Sequence, residues 1–179
     1  MPLAPERIET ERLVIRRPVD GDAEAIFTRY ASDPAVTTYL AWPRHASVDD
    51  TRAFLAVSAR EWCQWAVGPY LVETRDEGML IGSTGMAFET PERAATGYVF
   101  ARDAWGRGYA TEALRAMVVL APSVGLRRLH AMCHPLHHAS IRVLEKCGFE
   151  REGVLRRYAE FPNLAAGEPA DVVCFSYVF

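Results

Sequence analysis

The segment at residues 103–114, DAWGRGYATEAL, sets two glycines, Gly106 and Gly108, between a strand-like run and an amphipathic one. Glycine lets the backbone turn tightly and lets a ligand approach it closely. Downstream, Ala113, Leu114, Met117, Val118 and Ala121 recur at helical spacing, which predicts a helix over 108–121 that stops before Pro122. The first N–H groups of such a helix have no internal acceptor. Together with the helix dipole they suit a phosphate or pyrophosphate. Arg107 adds positive charge at the rim. No Gly-Lys-Ser/Thr follows, so this is not a nucleotide P-loop, and the third glycine of a dinucleotide fingerprint is absent.

Working outward, the spacing predicts a mixed sheet. Residues 12–18 alternate like a strand. Ala23, Ile26, Phe27 and Tyr30 share a helical face after Asp20, and Asp33-Pro34 starts a short helix. Ser47 and Asp50 form a capping-box pattern before a helix carrying Phe54, Leu55, Ser58 and Trp62. Residues 65–74, 79–89 and 94–101 read as a three-stranded meander, with a bulge or sheet edge expected at Pro69. After the glycine turn come a strand at 127–133, a helix at 139–147 closed by Gly148, and strands at 149–158 and 171–179. The expected architecture is α/β (α+β), with about seven strands and helices on the faces of the sheet.

Composition fits that reading. The 179 residues suit one domain, half are hydrophobic, and about a quarter are charged. No apolar run reaches the roughly 18 residues of a membrane helix, and the N-terminus lacks a signal-peptide core. A net charge of −3 disfavours nucleic acid as partner. The four cysteines show no paired spacing, so a reducing, cytoplasmic compartment is expected.

The run GYVFARDAWGRGYATEAL resembles the acetyl-CoA-binding motif of the GNAT superfamily of N-acetyltransferases, Q/R-x-x-G-x-G/A. Gly108 and Ala110 take its two small positions, while Trp105 replaces the leading Gln/Arg. W-G-x-G-Y-A-x-E-A is similar to the branch of ribosomal-protein N-terminal (alanine/serine) acetyltransferases. TERLVIRRPVDGDAEAIF, LIGSTGM and SIRVLEKCGFEREGVLR resemble other parts of that branch in the same order, so the likeness spans nearly the whole chain.

The resemblance implies a GNAT-like fold with a mostly antiparallel seven-stranded sheet, one N-acetyltransferase domain over 1–179, and direct attack of a primary amine on acetyl-CoA. It implies that Arg107, Gly108, Tyr109, Ala110 and Thr111 surround the pyrophosphate, and that the backbone of Phe100, Ala101 and Arg102 meets the pantetheine arm. Ser140 takes the place of a hydroxyl near the CoA sulfur and is the candidate proton donor. The general base is poorly marked. Glu73, Glu89, Glu160 and Glu168 are candidates, Glu89 standing as the catalytic one, whereas Ala95 occupies a position where the branch often has glutamate. His137 replaces a usual Asn that caps a helix and touches cofactor or substrate.

Cys133, His134, His137 and His138 invite a metal reading, but adjacent strand residues point to opposite faces and no fourth ligand is evident, so no metal is expected. The acceptor is expected between the N-terminal helices and the loop joining the last two strands, near Tyr39, Trp42, Arg44, His45, Tyr158 and Phe161. It is a peptide N-terminus or a small-molecule amine, with an aminoglycoside or other xenobiotic amine as one alternative and a non-catalytic acyl-CoA-binding module as another. Neither membrane nor nucleic-acid partners are expected. A monomer or homodimer both fit.

Overall fold

The computed structural model describes residues 4–179. Its strands are β1 (Arg7–Glu9), β2 (Leu13–Arg16), β3 (Pro69–Thr74), β4 (Leu80–Thr90), β5 (Arg93–Phe100), β6 (Arg128–Cys133), β7 (Glu150–Phe161) and β8 (Ala165–Val178). They form one sheet in the order β1-β2-β3-β4-β5-β6-β8-β7. Every neighbouring pair is antiparallel except β5 and β6. A parallel pair needs a long crossover, and helix α4 (Tyr109–Ser123) supplies it. The helices before it are α1 (Ala23–Ile26), which runs on into a π turn at Phe27–Ala31, α2 (Pro34–Thr37) and α3 (Val48–Trp65). Helix α5 (His138–Lys146) follows β6.

The expected α/β architecture is present, with eight strands instead of seven. The additional β1 pairs Ile8 with Ile15, and three residues are too few to show alternation. Pro69 is neither bulged nor at an edge. It is the first residue of the interior strand β3, where a missing N–H costs no ladder bond, and the register shift lies at Val72/Glu73. Helix α4 runs past Pro122 to Ser123. The proline removes only the bond to the Val118 carbonyl in the last turn, and Ser123 Oγ closes that turn onto Leu120 O at 2.7 Å. The β7–β8 hairpin is longer at its tip than the alternation suggests, because Arg156, Arg157 and Glu168 leave both faces exposed there.

The core lies on both faces of the sheet. Tyr109, Ala113, Leu114, Met117 and Ala121 of α4 are buried on one side. Ile26, Tyr30, Leu55 and Leu71 pack on the other. Each large apolar side chain contributes about 1.5–3 kcal/mol on burial. That outweighs a helix cap at about 1 kcal/mol, so packing fixes α4 even though its N-cap is a bare glycine.

Strands β5 and β6 pair only through Arg93↔Arg128, Ala94↔Leu129 and Ala95↔His130. Beyond these they separate, while β5 stays paired to β4 as far as Phe100 and β6 to β8 as far as Cys133. The sheet is therefore split in its middle, and one edge of β5 is open there.

Candidate active site

Gly108 is the N-cap of α4, with φ +81°, and no side chain caps the helix. The Glu112 N–H donates to Gly108 O at 3.1 Å as the first helical bond. The amides of Tyr109, Ala110 and Thr111 therefore have no intrahelical acceptor. The turn is held from outside. Glu112 accepts from Thr10 Oγ1 (2.6 Å), Arg12 N (2.9 Å) and Arg12 Nε (2.7 Å), and Arg12 Nη1 donates to Arg107 O (2.9 Å). The guanidinium groups of Arg12 and Arg107 both lie against the Tyr109 ring, 4.8 and 5.1 Å from its centroid. Trp105, the departure from the resembled motif, donates its indole N–H to Phe100 O at 2.8 Å and ties the turn to the end of β5.

A cavity of about 590 Å³ lies over this helix start. Phe100, Gly108, Tyr109, Ala110 and Thr111 line it, as do Arg142, Val143 and Lys146 of α5. Ala101, Arg102 and Arg107 do not. Ala101 is buried and spends its N–H on Ile81 O at 2.8 Å, and the two arginines are exposed. Along an antiparallel strand the amides alternate in direction, so with Ala101 facing β4 the backbone groups of Phe100 and Tyr98 face the split. Arg142 and Lys146 went unread at the sequence level. Their signal was a shared helical face, because Ala139, Arg142, Val143 and Lys146 follow helical spacing.

A second cavity, of about 770 Å³, lies mainly on the α1–α3 side. The two cavities share six lining residues: Tyr39, Leu40, Tyr98, Val99, His137 and Ser140. At this junction the Tyr98 hydroxyl lies 3.0 Å from Ser140 O and 2.9 Å from Ser140 Oγ. One proton of the pair goes to the Ser140 carbonyl, and the other is shared between the hydroxyls. Burial pushes the Tyr98 phenol up, so it stays protonated. Tyr98 was missed from the sequence, where it reads as one more strand residue.

His137 is the N-cap residue of α5 but makes no capping bond with its side chain. Its ring stacks on Tyr39 at 4.9 Å, and His134 stacks on the same ring at 5.1 Å. Burial, then the charges of His134 and His138, lower the His137 pKa. Burial lowers that of His134 as well, and its Nδ1 accepts from Leu136 N at 3.2 Å. Burial pushes the Cys133 thiol up to about 11, so it is not a thiolate. Among the described residues, no three His, Cys, Asp or Glu side chains come together as a metal-binding group.

None of the four glutamates named from the sequence lines either cavity. Glu89 accepts from Arg93 at 2.7 Å and lies 3.2 Å from His130 Nε2. Glu73 is paired with Arg16 at 2.8 Å. Glu160 and Glu168 are exposed on the β7–β8 hairpin. Tyr39, Trp42, His45, Tyr158 and Phe161 do line the larger cavity, whereas Arg44 does not. Asn163, between β7 and β8, fixes the loop that carries Tyr39, Trp42 and His45. It donates to Thr37 O and Trp42 O at 2.9 and 2.8 Å and accepts from Arg44 N at 2.7 Å.

The acetyltransferase (GNAT) domain model matches residues 12–150. The chain is 33% identical over 174 residues to the uncharacterized N-acetyltransferase YoaA of Bacillus subtilis, covering 96% of each. It superposes on a GNAT-family acetyltransferase from Bacillus anthracis with a TM-score of 0.83 and 27% identity, covering 96% of this chain and 98% of that one. It has the same fold as RimL, a ribosomal-protein α-N-acetyltransferase in complex with coenzyme A, with a TM-score of 0.84 and 21% identity, covering 97% and 98%. A split sheet with a bare helix start beside the split, and matches of this extent, lead to one conclusion: the chain belongs to the GNAT acetyltransferase family and is an N-acetyltransferase.

Proposed function

We propose that the chain, acting as one catalytic domain, transfers the acetyl group of acetyl-CoA to a primary amine of a peptide N-terminus or small molecule. The observation that carries this reading is the shared wall at Tyr98, His137 and Ser140 between a cavity at a helix N-terminus and a separate, larger one. The smaller cavity fits the donor. Its free amides at Tyr109, Ala110 and Thr111 suit a pyrophosphate, and Arg142 and Lys146 add positive charge. The open edge of β5 offers the backbone of Tyr98 and the N–H of Phe100 to an amide-bearing arm. When bound, acetyl-CoA supplies an activated thioester carbonyl and a thiolate leaving group.

The chain's own residues then have three tasks. Backbone N–H groups of β5 facing the split stabilise negative charge on the reacting oxygen. The Tyr98–Ser140 hydroxyl pair gives a proton to the departing sulfur. His137, kept neutral by its lowered pKa, accepts a hydrogen bond from the incoming amine and adds no charge beside it. Removal of the amine proton falls largely to solvent. That suits an α-amine, whose pKa is about 7.7–8.0, better than a lysine at about 10.4.

Mass measurement of acceptors after incubation with acetyl-CoA tests the reading. The panel holds small amines and peptides beginning with Ala, Ser or Thr. An acetyl adduct on at least one class, with matched thiol release, is expected. Binding of acetyl-CoA with transfer to none would make the chain a non-catalytic acyl-CoA-binding module.

A pH profile tests His137 separately. A folded pKa below the ordinary value keeps the ring neutral further into acid. Above it, log kcat/KM rises with a slope of about 1 as the acceptor amine deprotonates. Below it, the slope should steepen to about 2 as His137 also charges. His137→Asn should hold a slope of about 1 throughout. An unchanged steep limb in that variant would remove His137 from the site.

A further inference from the structure

The larger cavity extends well beyond the junction. Its floor crosses the sheet on a bare row. Gly97 of β5 is in register with Gly85 of β4, and Gly85 with Pro69 of β3. A Cβ on Gly97 would meet nothing within 4 Å, and its φ is not in the left-handed region, so nothing in the backbone demands glycine there. The absent side chain leaves the floor open. At the far side stands Glu61 of α3, whose Cβ lies 3.4 Å from where a Cβ on Gly68 would be, next to Pro69. Two strand spacings, roughly 10 Å, separate β5 from Pro69 of β3, the strand beside Glu61.

Glu61 is half-buried, and no Arg, Lys or His among the described residues pairs with it. Burial raises its pKa, the mark of a carboxylate that lacks its countercharge. Asp50, the other acid lining the cavity, is already engaged by Ala46 N (2.8 Å) and Ser47 N (3.0 Å).

We propose that Glu61 is a specificity-determining residue that binds a second positive charge on the acceptor, at the far side of the cavity from the amine to be acetylated, across a largely apolar stem. The inference rests on the acetyl-transfer reading above and names the substrate chemistry of that site. A long diamine and a peptide with a basic third residue both carry this chemistry.

The test compares matched acceptors with the full chain and acetyl-CoA. One arm uses straight-chain diamines of graded length against the monoamine of each length. The other uses alanine-led tripeptides ending in arginine or glutamine. In at least one arm the charged member should have a kcat/KM at least about tenfold higher, in line with one well-placed ion pair. Glu61→Gln should collapse that ratio toward 1. Equal rates in both arms, or a ratio that survives in E61Q, would overturn the proposal while leaving acetyl transfer intact. Calorimetric titration of the same acceptors, without donor, reads the charge preference independently of catalysis. A preference seen there and abolished in E61Q, with no transfer to any amine, would support the Glu61 subsite and refute the acetyl-transfer reading.

Discussion

The double substitution Tyr98→Phe/Ser140→Ala should lower kcat by roughly 10²–10³-fold and leave acetyl-CoA affinity within about threefold. That is the range over which a positioned proton donor acts. The two hydroxyls lie 2.9 Å apart on elements 42 residues apart in sequence, at the one place where both cavities meet. Each can stand in for part of the other, so either single change should cost less than the pair, and the two effects should not add. Tyr98→Phe also removes the bond to Ser140 O, worth about 1 kcal/mol of stability. Thermal melts would record that loss, whereas it would not produce a selective fall in kcat. Single-turnover thiol release separates the two. A normal chemical step in the double variant would remove the hydroxyl pair from the mechanism.

Gly108→Val should weaken acetyl-CoA binding by about 10²-fold, close to 2.8 kcal/mol. At φ +81° a β-branched residue is strained by roughly 1–2 kcal/mol, and relief of that strain turns the Tyr109, Ala110 and Thr111 amides away from their common direction. The new side chain would also crowd Arg12 Nη2, 3.4 Å from the Cβ position, and loosen the clamp between Arg12 and Glu112. Gly78→Val is the control. Gly78 has φ +64° in the turn between β3 and β4, away from both cavities, with nothing within 4 Å of a Cβ. It should cost similar stability without a loss of affinity. Equal affinity in the two variants would show that the helix start does not hold the donor.

The donor half of the site was legible because its signal is local. Two glycines before an amphipathic helix force a turn, and the unpaired amides follow from helix geometry alone. Ser140 was legible only through the family resemblance, which puts a hydroxyl at its position near the CoA sulfur. The acceptor half was not, because it is assembled from distant segments. Tyr98 sits in an ordinary strand, and its side chain meets α5 only through the folding of the chain between them. Glu61 looks like a solvated helix residue, although it stands next to Trp62 on the helix marked by Phe54, Leu55, Ser58 and Trp62. Glu89 resembled a cleft carboxylate by its position near a strand end, but Arg93 and His130 hold it elsewhere. Pro122 and the hairpin tip misled for a different reason, because local rules describe element interiors better than their ends.

The central claim is that donor and acceptor sites meet at the Tyr98–Ser140 pair. A crystal structure with coenzyme A bound tests it most directly. The account predicts the pyrophosphate over the amides of residues 109–111, the arm along the open edge of β5, and the sulfur within hydrogen-bonding distance of the Tyr98 or Ser140 hydroxyl. A sulfur placed away from both hydroxyls, or an arm that does not enter the split between β5 and β6, would contradict it.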